Sequence, residues 1–147
     1  MSQTYHKIWI HILWATKERE PFLRKEIRGD VFNHIRGKAS IEGYILDTIG
    51  GHIDHVHCLV RLQPRFSVSE VVNKLKGESS HWMNAEKLTP THFAWQGGFG
   101  AFSVSDRDVA KVRRYILGQE EHHRKKSFAE EVNDFLQVYG VDSFDPG

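Results

Sequence analysis

The chain has 147 residues, a net charge of +1, one cysteine and 12% aromatic residues. That length buries one core without help from disulfides, and the lone Cys58 excludes an internal one. The regular apolar patterning excludes disorder, and no apolar run approaches the ~20 residues of a membrane span or has the layout of a signal peptide. No internal repeat is present, so one domain over 1–147 in a reducing cytoplasm is expected. Because the overall field is nearly neutral, nucleic-acid affinity has to come from local basic patches. Five are present: Lys17 with Arg19; Arg24 with Lys25 and Arg28; Lys74 with Lys76; Lys111 with Arg113 and Arg114; and Arg124 with Lys125 and Lys126.

Along the chain, "YHKIWIHILWAT" alternates, with Ile8, Ile10, Ile12 and Trp14 on one side and Lys7, Trp9, His11 and Leu13 on the other, which predicts a first strand. Leu23, Ile27, Val31 and Ile35 recur every fourth residue and predict a helix, weakened by Gly29 and Gly37. "GYILDTIGG" and "HVHCLVRL" predict two strands joined by a turn around Gly51 to Asp54. Ser67 and Glu70 form a capping box before a second helix whose apolar stripe is Val68, Val71, Val72, Leu75 and Trp82. "LTPTHFAWQGG" is a loop, and "FGAFSVS" a fourth strand. A second capping box, Ser105 with Asp108, opens a third helix with Val109, Val112 and Ile116 inward. A third, Ser127 with Glu130, opens a last helix with Phe128, Val132, Phe135, Leu136 and Tyr139. The order β-α-β-β-α-β plus two helices predicts an α+β fold, a ferredoxin-like split β-α-β antiparallel sheet with a C-terminal addition.

Within "GGHIDHVHCLV", Val56, Cys58, Val60 and Leu62 share the strand face that helices should cover, and His55, His57, Leu59 and Arg61 share the other, expected to be open. Two imidazoles at i and i+2 can converge on one ion, or be solvated sheet residues. In "RRYILGQEEHH", Tyr115 and Gln119 lie one helical turn apart on one side. Gln119 can supply a neutral oxygen, and an oxygen-rich mixed site favours magnesium or manganese over a closed zinc site. Tyr115 suits either packing or nucleophilic attack. A phenol, with its ordinary pKa near 10, needs a polarised target and the positive surround of Lys111, Arg113 and Arg114 to attack phosphorus.

Taken jointly, "DHVH", "WQGGFGAFSVS" and "YILGQEEHH" resemble the HUH-type single-strand tyrosine transposases of bacterial insertion sequences. These comprise the two-hundred/six-hundred-and-five insertion-sequence family and the palindrome-associated (REP-associated) tyrosine transposases. The resemblance runs from the opening strand and "WATKER" to "HHRKKSFAEE". It implies that His55, His57 and Gln119 hold a divalent Mg2+ or Mn2+ ion, that Tyr115 is the catalytic nucleophile, and that Asp54 is the acidic residue often preceding the first histidine. It further implies cleavage of single-stranded DNA beside imperfect hairpins through a 5′ phosphotyrosine link, without a nucleotide cofactor or a membrane, in a nucleoid-associated bacterial or archaeal protein. A homodimer exchanging the Tyr115 helix in trans is also implied, with a monomer closing its own site in cis, as in some palindrome-associated relatives, as the alternative; the flexible "WQGGFG" and Gly118 are compatible with exchange. Lys17, Arg19, Lys74, Lys76, Trp95, Lys111, Arg113 and Arg114 are the candidate DNA contacts. Trp95 and Phe99 suit base stacking, and Trp95 equally suits loop packing.

Rival readings are an RNA-recognition module without catalysis, a small metallohydrolase using His55, His57 and water, and a domesticated hairpin-binding nickase. Against the first, Phe99 and Phe102 fall on opposite strand faces and no basic residue precedes "GGFGAFSVS". A covalent protein–DNA adduct separates a tyrosine transposase from the first two.

Overall fold

Alternating apolar residues place β1 (Ile8–Ala15) in the interior of a four-stranded antiparallel sheet of order β2-β3-β1-β4. The other strands are β2 (Ile45–His52), β3 (His55–Leu62) and β4 (Gly100–Val104). This computed structural model describes residues 2–123 and 125–138, so Arg124 and Tyr139 of the patterns above lie outside the described residues. The expected α+β, ferredoxin-like arrangement is the one observed. Register pairs Leu13 with His57 and His11 with Leu59 across β1 and β3, His11 with Phe102 across β1 and β4, and Gly50 with His57 across β2 and β3. Directly paired residues share a face, so His11, His57, Phe102 and Gly50 look to one side.

The opposite side is an ordinary core. Helices α1 (Lys25–Glu42) and α2 (Val68–Ala85) press Val31, Ile35, Ala39, Val71, Val72, Leu75 and Met83 against Ile12, Trp14, Val56, Cys58 and Val60. Ser67 caps α2 as expected, its Oγ accepting from the Glu70 amide at 3.0 Å. Gly43 ends α1 at φ 82°, a left-handed cap that glycine adopts without steric cost.

The histidine side departs from expectation, because it is covered. Three helices, α3 (Val109–Leu117), α4 (Gln119–His122) and α5 (Phe128–Val138), follow β4, and β3 is buried on both faces from His55 to Val60. With α1 and α2 filling one face, the apolar stripes of the C-terminal helices can be buried only on the other. The expected third helix is broken in two at Gly118. Ser105 Oγ donates to Asp108 Oδ2 at 3.0 Å, and this opens a short 3-10 turn, Asp106–Asp108, before α3 begins. The Ser127–Glu130 box is reciprocal: Ser127 Oγ accepts from the Glu130 amide at 3.2 Å and Glu130 Oε1 from the Ser127 amide at 3.3 Å.

Gly50 lets α3 lie directly on β2. A Cβ there would stand 2.4 Å from the Ile116 carbonyl oxygen, which no side chain can accept. Ile116 then joins Leu59, Val104 and Val109 in a second apolar cluster, with Tyr115 at its edge.

Candidate functional site

Strand alternation sends His55 and His57 to the same side of β3, and helix spacing brings Tyr115 of α3 and Gln119 of α4 over them. His55, His57 and Gln119 are all buried. His55 Nε2 lies 2.8 Å from Gln119 Oε1, and the His57 and Tyr115 rings are 5.7 Å apart and perpendicular. Four candidates from the sequence thus meet in one chain.

Asp54 joins them as a support. Its Oδ1 accepts from His55 Nδ1 at 2.8 Å, the carboxylate–histidine contact that turns the other ring nitrogen toward a metal. A neutral imidazole holds one N–H. The other ring nitrogen, His55 Nε2, then faces the Gln119 side-chain amide at 2.8 Å, so both groups can turn toward a shared ion.

The other support is His11, whose Nε2 lies 2.8 Å from His57 Nδ1. Burial drives the pKa of His11 down to about 3 and that of His57 down to about 4, so both rings are neutral at physiological pH, the state a metal ligand requires.

A carboxylate absent from the sequence expectations sits among these rings. Glu131 of α5 is 2% exposed, with Oε1 2.5 Å from His57 Nε2 and Oε2 2.6 Å from His123 Nε2, 3.5 Å from His122 Nε2 and 4.0 Å from His55 Nε2. Burial alone would push its carboxyl upward, but contact with His57, then Tyr115 and His55, holds it below the usual carboxylate range. Burial, then the neighbouring Glu131, pushes the Tyr115 phenol well above its ordinary value. Docked this way, α5 lays Phe135 edge-on against the Tyr115 ring at 5.6 Å.

Among the described residues, His55, His57 and Glu131 form one group whose ligating atoms lie within 4.8 Å of one another, and His122, His123 and Glu131 form a second. The first can hold a divalent cation. Its fit is supported by His57 Nε2 and both Glu131 oxygens, which are buried with no well-aligned hydrogen bond. Two imidazole nitrogens, an amide oxygen and a carboxylate are a mixed set that suits manganese or magnesium.

Sequence reasoning missed His11, His122, His123 and Glu131. The signal for Glu131 is an acid at i+3 from Phe128 and i−4 from Phe135, inside the apolar stripe of α5. His11 lies on the same strand face as the expected Trp9 and Leu13.

The candidate DNA contacts are scattered. Lys17 and Arg19 are exposed on a 3-10 turn after β1, and Arg19 reaches the rim of a cleft of about 800 Å³ between the sheet and α5, lined by Leu13, Phe99, Phe102, Phe128 and Phe135. Lys74, Lys111 and Arg114 are exposed. Lys76 instead donates to the Gln96 and Gly98 carbonyls at 2.7 and 2.9 Å, and Arg113 is bound to Asp47 by two contacts of 2.8 and 2.9 Å. Trp95 packs edge-on against Trp14 and Phe93 and donates its Nε1–H to Ser79 Oγ at 3.0 Å. Packing accounts for its position.

The fold is shared with solved transposases. A structure of a candidate transposase from Deinococcus radiodurans superposes with a TM-score of 0.64 at 26% identity, over 81% of this chain and 98% of that one. A REP-associated tyrosine transposase bound to a REP hairpin shares the fold at a TM-score of 0.59 and 15% identity, over 84% of this chain and 74% of that one. ISDra2 transposase TnpA of Deinococcus radiodurans is 27% identical over 120 residues, 78% of this chain and 85% of its own length. Residues 4–119 match the family model described as Transposase IS200 like. The chain belongs to this family of HUH-type, single-tyrosine transposases. No helix of the described residues is long and apolar enough to cross a membrane.

Proposed function

We propose that the chain, acting as one domain in the cytoplasm, is a metal-dependent transposase that cuts and rejoins single-stranded DNA beside imperfect hairpins. Tyr115 Oη attacks a backbone phosphorus; the new P–Oη bond replaces the P–O3′ bond, and the departing 3′ oxygen takes a proton. The product is a 5′ phosphotyrosine, which a later 3′ hydroxyl reverses. Each step exchanges one phosphodiester for another, so no nucleotide cofactor is needed.

The observation that carries this reading is the convergence of Tyr115, His55, His57 and Gln119 on one buried sheet face in a member of this family. His55 Nε2, His57 Nε2 and Gln119 Oε1 would hold Mg2+ or Mn2+, with Asp54 and His11 fixing the rings from behind. When bound, the ion withdraws charge from the scissile phosphate. The helix and strand hold the phenol for in-line attack, and positioning supplies much of the acceleration. The hairpin-bound REP-associated relative supports a hairpin substrate. Exposed Lys17, Arg19, Lys74, Lys111 and Arg114 would track the backbone, and the phenylalanine-lined cleft would receive an unstacked base.

The working unit is a homodimer that exchanges the Tyr115 helix, as the family resemblance implies, with the break at Gly118 giving the chain a place to turn. Within one chain the Tyr115 ring lies 5.7 Å from the ring of its own His57, a geometry that also suits a site closed in cis. Mixing inactive His57→Ala with inactive Tyr115→Phe tests exchange, because swapped heterodimers regain one intact site. Recovered cleavage of labelled hairpin DNA supports the dimer. No recovery after verified subunit mixing removes the trans site and leaves the cis enzyme.

A further inference from the structure

Helix α5 is not used by the proposed reaction, yet it delivers the most buried acid among the described residues into the site. Phe128 stacks on the His55 ring at 4.2 Å, and Phe135 lies edge-on to His11 at 5.2 Å and Tyr115 at 5.6 Å. Those rings flank Glu131 on one helical face, so docking the apolar stripe forces the carboxylate inward. Both carboxylate oxygens are buried without a well-aligned donor, which is costly unless a cation compensates them, and the Glu131 ligating atom lies within 4.8 Å of those of His55 and His57.

The same carboxylate lies 2.5 Å from His57 Nε2, on the side of the site where the His57 and Tyr115 rings face each other at 5.7 Å. In-line attack requires the scissile phosphate in that interval, and two anions cannot share it. We infer that Glu131 is a further protein ligand of the metal ion in the DNA-free enzyme, and that the scissile phosphate displaces it, with α5, when DNA binds. This rests on the metal site proposed above.

The test is Mn2+ binding, read by electron paramagnetic resonance on the full chain in a Tyr115→Phe background that cannot turn over. Titrations are run without DNA and with saturating single-stranded DNA copied from the hairpin-bearing flank of the gene. Glu131→Ala is expected to lower Mn2+ affinity at least about tenfold without DNA, and to match its parent once DNA is bound. Glu131→Gln, which keeps the shape but not the charge, gives the same pattern and covers the case in which the alanine variant fails to fold. Equal affinity without DNA overturns the inference, as does a deficit that persists undiminished with DNA. His57→Ala separates the two levels: it loses Mn2+ in both conditions if the metal site is as proposed, and if it retains full affinity the site itself is wrong.

Discussion

The two faces of β3 have equal burial and opposite chemistry. Val56, Cys58 and Val60 are closed over by apolar side chains of α1 and α2, and among the described residues the one buried side-chain polar atom of that cluster without a hydrogen-bond partner is Trp14 Nε1. Burial also pushes the Cys58 thiol well above its ordinary value, which keeps it inert. One residue away, His55 and His57 are just as buried, but their neighbours are His11, Tyr115, Gln119 and Glu131, and buried polar atoms there have no aligned partner. A face that only stabilised the fold would be cheaper in leucine and valine. The polar face is therefore where stability has been exchanged for chemistry.

The sharpest contrast comes from alanine on each side of the strand. His55→Ala or His57→Ala should reduce cleavage of labelled hairpin DNA at least about a thousandfold, since metal stabilisation of a transition state is worth several kcal/mol. Hairpin binding should change little, and the fall in melting midpoint should be no larger than that of the apolar-face variants below. Strong loss of fold in these variants would mean that the histidine face is structural.

On the opposite face, Leu75→Ala or Ile35→Ala should cost about 2–5 kcal/mol through a cavity in the apolar core, lowering the melting midpoint by roughly ten degrees. Cleavage per folded molecule at low temperature should stay near the parent value. Loss of cleavage without loss of stability would erase the distinction between the faces.

Gly50→Ala probes the seam between them. Its new methyl meets the Ile116 carbonyl and pushes α3 outward, carrying Tyr115 away from His57. A shift of about 1 Å in the reacting group costs on the order of a hundredfold in rate, with Mn2+ binding by the histidines retained. Unchanged kinetics would show that the seam tolerates the displacement.

The smallest effect concerns Asp47, whose carboxyl is held below its ordinary range by Arg113. A depressed folded pKa means that the contribution is fully present above the unfolded carboxyl value, near 3.9, and is lost as pH falls through the folded one. Asp47→Asn should lower the midpoint by about a degree or two at pH 7 and by progressively less as pH falls below about 3.9. An undiminished difference at pH 2 would assign the effect to something other than this ion pair.

Much of this was legible locally. The Ser67 and Ser127 caps, the alternation of β1 and β3 and the order of elements each depend on residues close in sequence, and each appears as expected. Strand and helix periodicity put His55 on one face with His57, and Tyr115 on one side with Gln119, while the meeting of the two pairs was what the family resemblance implied. The destination of α5 could not. An amphipathic stripe says that a helix must be buried, not against what, so the covered histidine face and the arrival of Glu131 are tertiary outcomes. The break at Gly118 is likewise set by docking, since glycine in a helix is tolerated as often as it ends one.

The most direct measurement is covalent capture. Purified chain, labelled hairpin DNA and Mn2+ are mixed, and the products are resolved under denaturing conditions. The wild-type chain should carry the label at the combined mass of protein and DNA, while Tyr115→Phe should carry none, and neither should the wild type with its metal chelated. An adduct formed by Tyr115→Phe, or one indifferent to chelation, would contradict a tyrosine nucleophile served by a metal on the histidine face.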